Sequence, residues 1–157
     1  MILYLLQEVE DLIESKELAL YIARIAKDNK AQKLVVLDLR ALVAFCDFFV
    51  IMSATSGRQI TGVAGAIEQE LYKHKIKPLF RGSKAQTSDS GWLVLDYAGV
   101  VVHIFQQSQR EFYSLEHLWQ DAKRVRIPSS RKKNEKRQSL PIPLIPNKRL
   151  SKTAKSR

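Results

Sequence analysis

The sequence predicts an α/β sandwich, a mixed β-sheet flanked by helices, on three observations. Two short and nearly all-apolar runs, Leu34-Val35-Val36-Leu37 and Phe48-Phe49-Val50-Ile51-Met52, have the composition of strands buried on both faces. Apolar residues recur at helical spacing between Ser56 and His74, directly after the second run. Two further apolar runs, residues 92–97 and 100–105, flank an Ala98-Gly99 link and read as a hairpin. Strands alternating with a helix and then folding back on themselves call for layers around a mixed sheet. The 157 residues, 45% hydrophobic and 27% charged, suit one core.

From the amino end, Ile2, Leu5, Leu6, Val9, Leu12 and Ile13 recur at helical spacing, and Leu18, Ile22, Ile25 and Ala26 continue the pattern after Ser15. One or two amphipathic helices are expected up to about Lys30, with Ser15 as a candidate cap. The Leu34 and Phe48 runs should lie centrally in the sheet. The helix after Ser56 places Ile60, Val63, Ala64, Ile67 and Leu71 on one stripe and crosses over from the Phe48 strand. Gly62 and Gly65 lower its helix propensity by up to about 1 kcal/mol each relative to Ala. Close packing on the sheet is the usual reason for such glycines.

A short segment at residues 78–81 and a polar loop at 82–91 lead to the hairpin. A two-residue turn sets Leu93 opposite Ile104, Leu95 opposite Val102 and Tyr97 opposite Val100, an apolar face directed at the core. The other face pairs Trp92 with Phe105, Val94 with His103 and Asp96 with Val101. A mixed face of this kind is either incompletely covered or meant for a partner. Ala98 is an uncommon residue where the backbone needs positive φ. Residues 109–125 hold Phe112, Tyr113, Leu115, Leu118 and Trp119, enough for a short closing helix or turn. Phe112 is expected in the core, and Arg110 and Tyr113 on the surface.

Charge divides the chain unevenly. Residues 1–125 carry 15 Lys and Arg against 15 Asp and Glu, whereas residues 126–157 carry 11 against Glu135 alone, so the whole net charge of +10 lies in the last 32 residues. With Pro128, Pro141, Pro143 and Pro146, residues 126–157 read as a basic, disordered or extended tail beyond a neutral domain at 1–125. The opening Met-Ile-Leu-Tyr-Leu-Leu is too short for a membrane span and lacks the basic lead of a secretory signal, which points to a soluble cytoplasmic protein with no membrane association.

Catalytic patterns are not evident. No Ser/His/Asp constellation, Walker loop or dinucleotide-binding fingerprint occurs. His74, His103 and His117 lie too far apart along the chain for zinc spacing, and Cys46 among phenylalanines reads as a small buried hydrophobe. No metal site and no cofactor are expected. Asp38, Asp47 and Asp96 lie on or near strands without an Asp-x-Asp pair, and Asp47 reads as a cap or turn group. His103, alone in its strand, is expected to be structural or surface-facing. Trp92 is a candidate for either the core or an interface anchor.

The segments at residues 35–40, 47–51, 54–59, 91–97, 100–105 and 110–119 closely resemble the ribosomal silencing factor family, also called the Iojap family. The resemblance runs from about Leu18 to Val125 with its spacing intact. It implies a fold similar to nucleotidyltransferases without their catalytic, metal-binding carboxylate pair, and a binding factor rather than an enzyme. Family members bind the large ribosomal subunit through its protein fourteen, hinder joining of the small subunit and damp translation when nutrients are scarce. The resemblance assigns partner contact to Trp92 and Asp96, and the hairpin geometry and expected exposure add Val94, His103, Arg110 and Tyr113. Where the family's hairpin turn commonly reads Gly-Asp, this chain has Ala98-Gly99.

A neutral body implies docking by shape, apolar anchors and a few charge pairs, and the exposed aromatic face also suits a homodimer. The tail either contacts ribosomal RNA or only aids solubility. Two other readings stay open at this point: a nucleotidyltransferase-type enzyme, and a general RNA-binding module driven by the tail.

Overall fold

A computed structural model describes residues 2–129, with side chains from residue 15 onward. Six strands form one mixed sheet in the order β3-β4-β5-β2-β1-β6. They are β1 (Gln32–Asp38), β2 (Phe48–Ala54), β3 (Phe80–Arg81), β4 (Trp92–Asp96), β5 (Val100–Gln106) and β6 (Lys123–Val125). The helices are α1 (Ile2–Asp28), α2 (Gly57–Lys73), α3 (Lys84–Ser90), α4 (Gln107–Tyr113) and α5 (Leu115–Leu118). β2 and β5 are parallel; every other pairing is antiparallel.

All seven residues of β2 are buried, because the strand has a neighbour on each edge and packed apolar side chains over each face. One face of the sheet, with Val36, Phe48, Val50, Met52, Leu93, Leu95, Val100, Val102 and Ile104, packs under α1 and α2. Full burial of side chains this size stabilises by about 1.5–3 kcal/mol each. The other face, with Leu37, Phe49, Ile51 and Phe105, is covered by Leu39 and Cys46 from the segment after β1 and by Leu115, Trp119 and Ala122 near the end of the domain. Trp92 of β4 and Val101 of β5 pack against this second cluster but remain half-buried.

The hairpin takes the expected register, with Trp92 opposite Phe105, Val94 opposite His103 and Asp96 opposite Val101. Ala98 accepts φ +67° at the turn, where its N–H donates to Asp96 Oδ1 at 2.8 Å. That side-chain bond and the strand pairing on both sides hold an alanine in a backbone region that favours glycine.

Several expectations are corrected. α1 is one continuous helix, and Ser15 sits within it rather than capping a second one. The fate of the apolar side chains before residue 15 lies outside the described residues. Leu34 and Val35 are only half-buried, since β6 covers the outer edge of β1 only at Val36, Leu37 and Asp38. A Cβ added at Gly62 or Gly65 would meet nothing within 4 Å, so sheet packing does not account for these glycines. The polar loop after Gly82 contains α3, started by a capping box of Ser83 and Gln86 and ended by Gly91 at φ +63°. The closing segment adds an edge strand, β6, which sequence reading did not anticipate.

Phe112 is 79% exposed and Arg110 only 6%, the reverse of expectation. The packed domain also extends past Val125, because Ile127 lies against the core. Residues 126–129 form neither helix nor strand, and the rest of the tail lies outside the described residues.

Candidate functional site: an aromatic row on one sheet face

The hairpin register, with the parallel pairing of β2 and β5, gathers aromatic rings on one face of the sheet. Trp92 on β4 stacks on Phe105 of β5, with centroids 5.0 Å apart and planes 20° from parallel. Its indole Nε1–H donates to His103 Nδ1 at 3.3 Å. His103 meets the Phe49 ring edge-on at 4.6 Å, and Phe49 meets Trp119 at 5.8 Å. Tyr113, at the end of α4, lies 4.8 Å from Trp92 and 5.2 Å from Phe112. Phe45 closes the other end against Trp119. The row therefore runs from Phe45 through Trp119, Phe49, His103, Trp92 and Tyr113 to Phe112. Contacts of this geometry add about 0.5–1.5 kcal/mol per pair beyond area burial.

Exposure varies along the row. Phe45, Tyr113 and Phe112 are exposed, Trp92 is half-buried, and His103 and Phe49 are buried. Val94, Asp96 and Val101 extend the open part of the face beside Trp92. Phe80 lies opposite Asp96 in β3 and adds an exposed ring on the same face.

His103 is not surface-facing. Desolvation lowers its pKa to about 4, so the imidazole is neutral near pH 7. Accepting at Nδ1 leaves the proton on Nε2, which is buried without a hydrogen-bond partner. The ring serves as a spacer between Phe49 and Trp92 that also fixes the indole orientation.

Arg110 is likewise an internal group. Its Nε and Nη2 donate to the two Glu116 carboxylate oxygens at 3.2 and 2.6 Å. Nη1 donates to the Lys33 carbonyl at 2.7 Å and to Ser53 Oγ at 2.9 Å. This guanidinium lowers the pKa of Glu116, chiefly by hydrogen bonding. The clamp ties α4 and α5 to β1 and β2, and so sets where Tyr113 meets Trp92. Beside it opens a cleft of about 460 Å³ lined by charges of both signs, including Lys33, Glu111, Glu116 and Arg124.

Of the six residues singled out in the sequence, Trp92, Val94, Asp96 and Tyr113 reach the open face, while His103 and Arg110 hold it from behind. Sequence reasoning missed Phe45, Phe49, Phe80 and Trp119 as members of the face. For Phe49 the signal was available in the alternation along β2, which puts Phe48 and Phe49 on opposite sides. Asp38 is held by Arg40 through bonds of 2.9 and 2.6 Å, which lower its pKa. Desolvation raises the Cys46 thiol to about 11, the behaviour of an inert buried group. Among the described residues no helix is long and apolar enough to cross a membrane.

The family model described as ribosomal silencing factor during starvation matches residues 12–142. The chloroplastic protein Iojap of Arabidopsis thaliana is 35% identical over 121 residues, which are 77% of this chain and 49% of that protein, so the chain spans about half the length of this relative. Ribosomal silencing factor RsfS of Bacillus subtilis is 30% identical over 96 residues, 60% of this chain and 78% of that one. A crystal structure of a Chromobacterium violaceum protein, 20% identical, shares the fold with a TM-score of 0.60 over 78% of this chain and 96% of its own. With a six-block pattern in the sequence, a family match across most of the chain and a shared fold, the chain belongs to the ribosomal silencing factor family.

Proposed function

We propose that this protein represses translation by gripping the large ribosomal subunit, through its protein fourteen, and occupying the volume the small subunit needs. It acts as a cytoplasmic binding factor and calls on no catalytic group. The observation that carries the reading, beside family membership, is the aromatic row: a rigid apolar face, half open at Trp92, Val94, Tyr113 and Phe112, on a body of sufficient size. Rigid aromatic anchors dominate binding hot spots, and an interface of about 800 Å² per partner fits such a face. Blocking an association requires tight contact with one partner and steric conflict with the other.

The test is a sucrose-gradient profile of purified subunits. The protein should travel with large subunits and reduce the joined-ribosome peak. Trp92 is packed within the row, so Phe112→Ala and Val94→Glu are better probes, because their side chains contribute less to the fold. Both should release the protein from large subunits while their thermal midpoints stay near that of the parent. Subunits that join equally well at saturating protein would sink the proposal. A chain ending at residue 129 distinguishes a tail-driven RNA-binding module, since that reading requires all ribosome binding to vanish with residues 130–157.

A further inference from the structure

The body is neutral in sum but not in distribution. Between Tyr72 and Lys84 lie Lys73, Lys75, Lys77, Arg81 and Lys84, with no Asp or Glu. This stretch carries the chain from the end of α2 through β3 to the start of α3. Lys73 pairs with Glu70 and Arg81 with Glu68. Among the described residues, Lys75, Lys77 and Lys84 make no ion pair and are exposed. Apolar groups are interleaved with them. Tyr72 is 62% exposed, Leu79 76% and Phe80 54%, and the Lys77 ammonium lies 5.3 Å from the centre of the Tyr72 ring.

The backbone holds these groups in place. Leu79 N–H donates to the Asp96 carbonyl at 2.7 Å, and Gly82 N–H to the Val94 carbonyl at 3.0 Å. The strap is thus fastened to β4, and the pairing of Phe80 with Asp96 puts the Phe80 ring on the same face as Trp92 and Val94. Arg81, paired with Glu68, turns to the α2 side, so Phe80 on the open face and Tyr72 with Lys77 at the end of α2 lie on opposite sides of the sheet edge that the strap wraps.

We propose that this strap is a docking surface for unpaired RNA that bends around the sheet edge, with Lys75, Lys77 and Lys84 on phosphates, Tyr72 offering a ring to a base on the α2 side and Phe80 one on the open face. Cations interleaved with exposed aromatic rings match a ligand that alternates phosphate charge with flat bases. An acidic protein segment would satisfy the lysines and leave the rings unused, so RNA fits more of the surface. The inference deepens the ribosome reading by adding an RNA contact next to the protein contact. Its test uses RNA alone, so its failure leaves the subunit-joining experiment untouched.

The experiment measures anisotropy of a labelled 20-nucleotide oligouridine titrated with the full chain at several salt concentrations. Replacing Lys75, Lys77 and Lys84 by Gln together should reduce the steepness of log affinity against log salt by about 2, from three lost single-strand phosphate contacts. Phe80→Ala should weaken binding about tenfold, within the range for loss of one stacked base. Photocrosslinks from a 4-thiouridine version of the oligomer should map within residues 72–84. An unchanged salt slope in the triple variant, with crosslinks confined to residues 130–157, would overturn the proposal in favour of the tail. A decaglutamate peptide that displaces RNA as well as unlabelled oligouridine does would overturn it in favour of an acidic protein partner. Thermal midpoints close to that of the parent show that the variants are folded.

Discussion

Among the described residues, Arg110 is the one Lys, Arg, Asp or Glu that is buried, and Arg110→Ala tests whether the clamp behind the aromatic row holds the end of the domain. The substitution orphans Ser53 Oγ in the interior, at a cost of about 1 kcal/mol or more, and frees the carbonyl of exposed Lys33, which can regain water. It also strips Glu116 of both its guanidinium bonds. That carboxylate is a quarter exposed and can regain water, which places the loss at the low end of the range for a broken buried pair. Taken as a whole, with the orphaned acceptor and the packing of the arginine stem included, the change falls at that low end, about 3 kcal/mol. For a chain of 157 residues this lowers the thermal midpoint by about 9 °C.

Calorimetry or circular dichroism reads the shift, and fluorescence reads its origin, because both tryptophans, Trp92 and Trp119, lie in the aromatic row. Arg110→Lys keeps the charge but not the fork, and should recover only part of the loss. The pH dependence provides a further check. Glu116 has a lowered folded pKa, so its contribution is present above its unfolded value near 4.5 and is lost as pH falls through the folded value. In Arg110→Ala the stability curve below about pH 4.5 should flatten. A midpoint within 2 °C of the parent, with unchanged tryptophan emission, would refute the reasoning that the clamp positions α4 and α5.

Gly62→Ala and Gly65→Ala should each stabilise by about 0.5–1 kcal/mol, since neither added methyl meets an obstacle and helix propensity favours Ala; a destabilised double variant in thermal melts would contradict the open space around them. His103 has a folded pKa of about 4 against an ordinary 6.5, so unfolding takes up a proton as pH falls between these values. Stability is unaffected above about pH 6.5, declines from there, and is lower by about 3 kcal/mol below pH 4. His103→Gln should remove that decline, and an identical pH profile of the thermal midpoint would show that the histidine is not buried in its neutral form.

The hairpin was legible because its information is local. Alternation in residues 92–105 and a two-residue link fix both register and faces, even with Ala98 at the turn. α3 was legible in principle, since Ser83 and Gln86 have capping-box spacing, but the polar composition of its seven residues hid it. Arg110 and Phe112 were misplaced for a different reason. Ser114 adopts φ +49° and breaks the helix, so no single periodicity runs from α4 into α5. Besides Glu116, the partners that allow burial of Arg110 are Lys33 and Ser53, 77 and 57 residues away, and no local pattern announces those two.

The same clamp and row constrain what a partner of the open face can offer. Trp92 directs its N–H at His103, so the indole presents ring surface rather than a donor. Asp96 uses Oδ1 on the Ala98 N–H, which leaves its other carboxylate oxygen as an acidic acceptor beside Val94 and Phe80. A complementary surface would then set an apolar group against Trp92 and Val94 and a cationic donor near Asp96. Because the rings are fixed by Phe105, His103 and Tyr113 before contact, little side-chain entropy is lost on docking, and more of the buried area is expressed as affinity. A factor that works by excluding another body gains from that rigidity twice. Its grip is tighter, and the volume it occupies cannot yield when the second body presses against it.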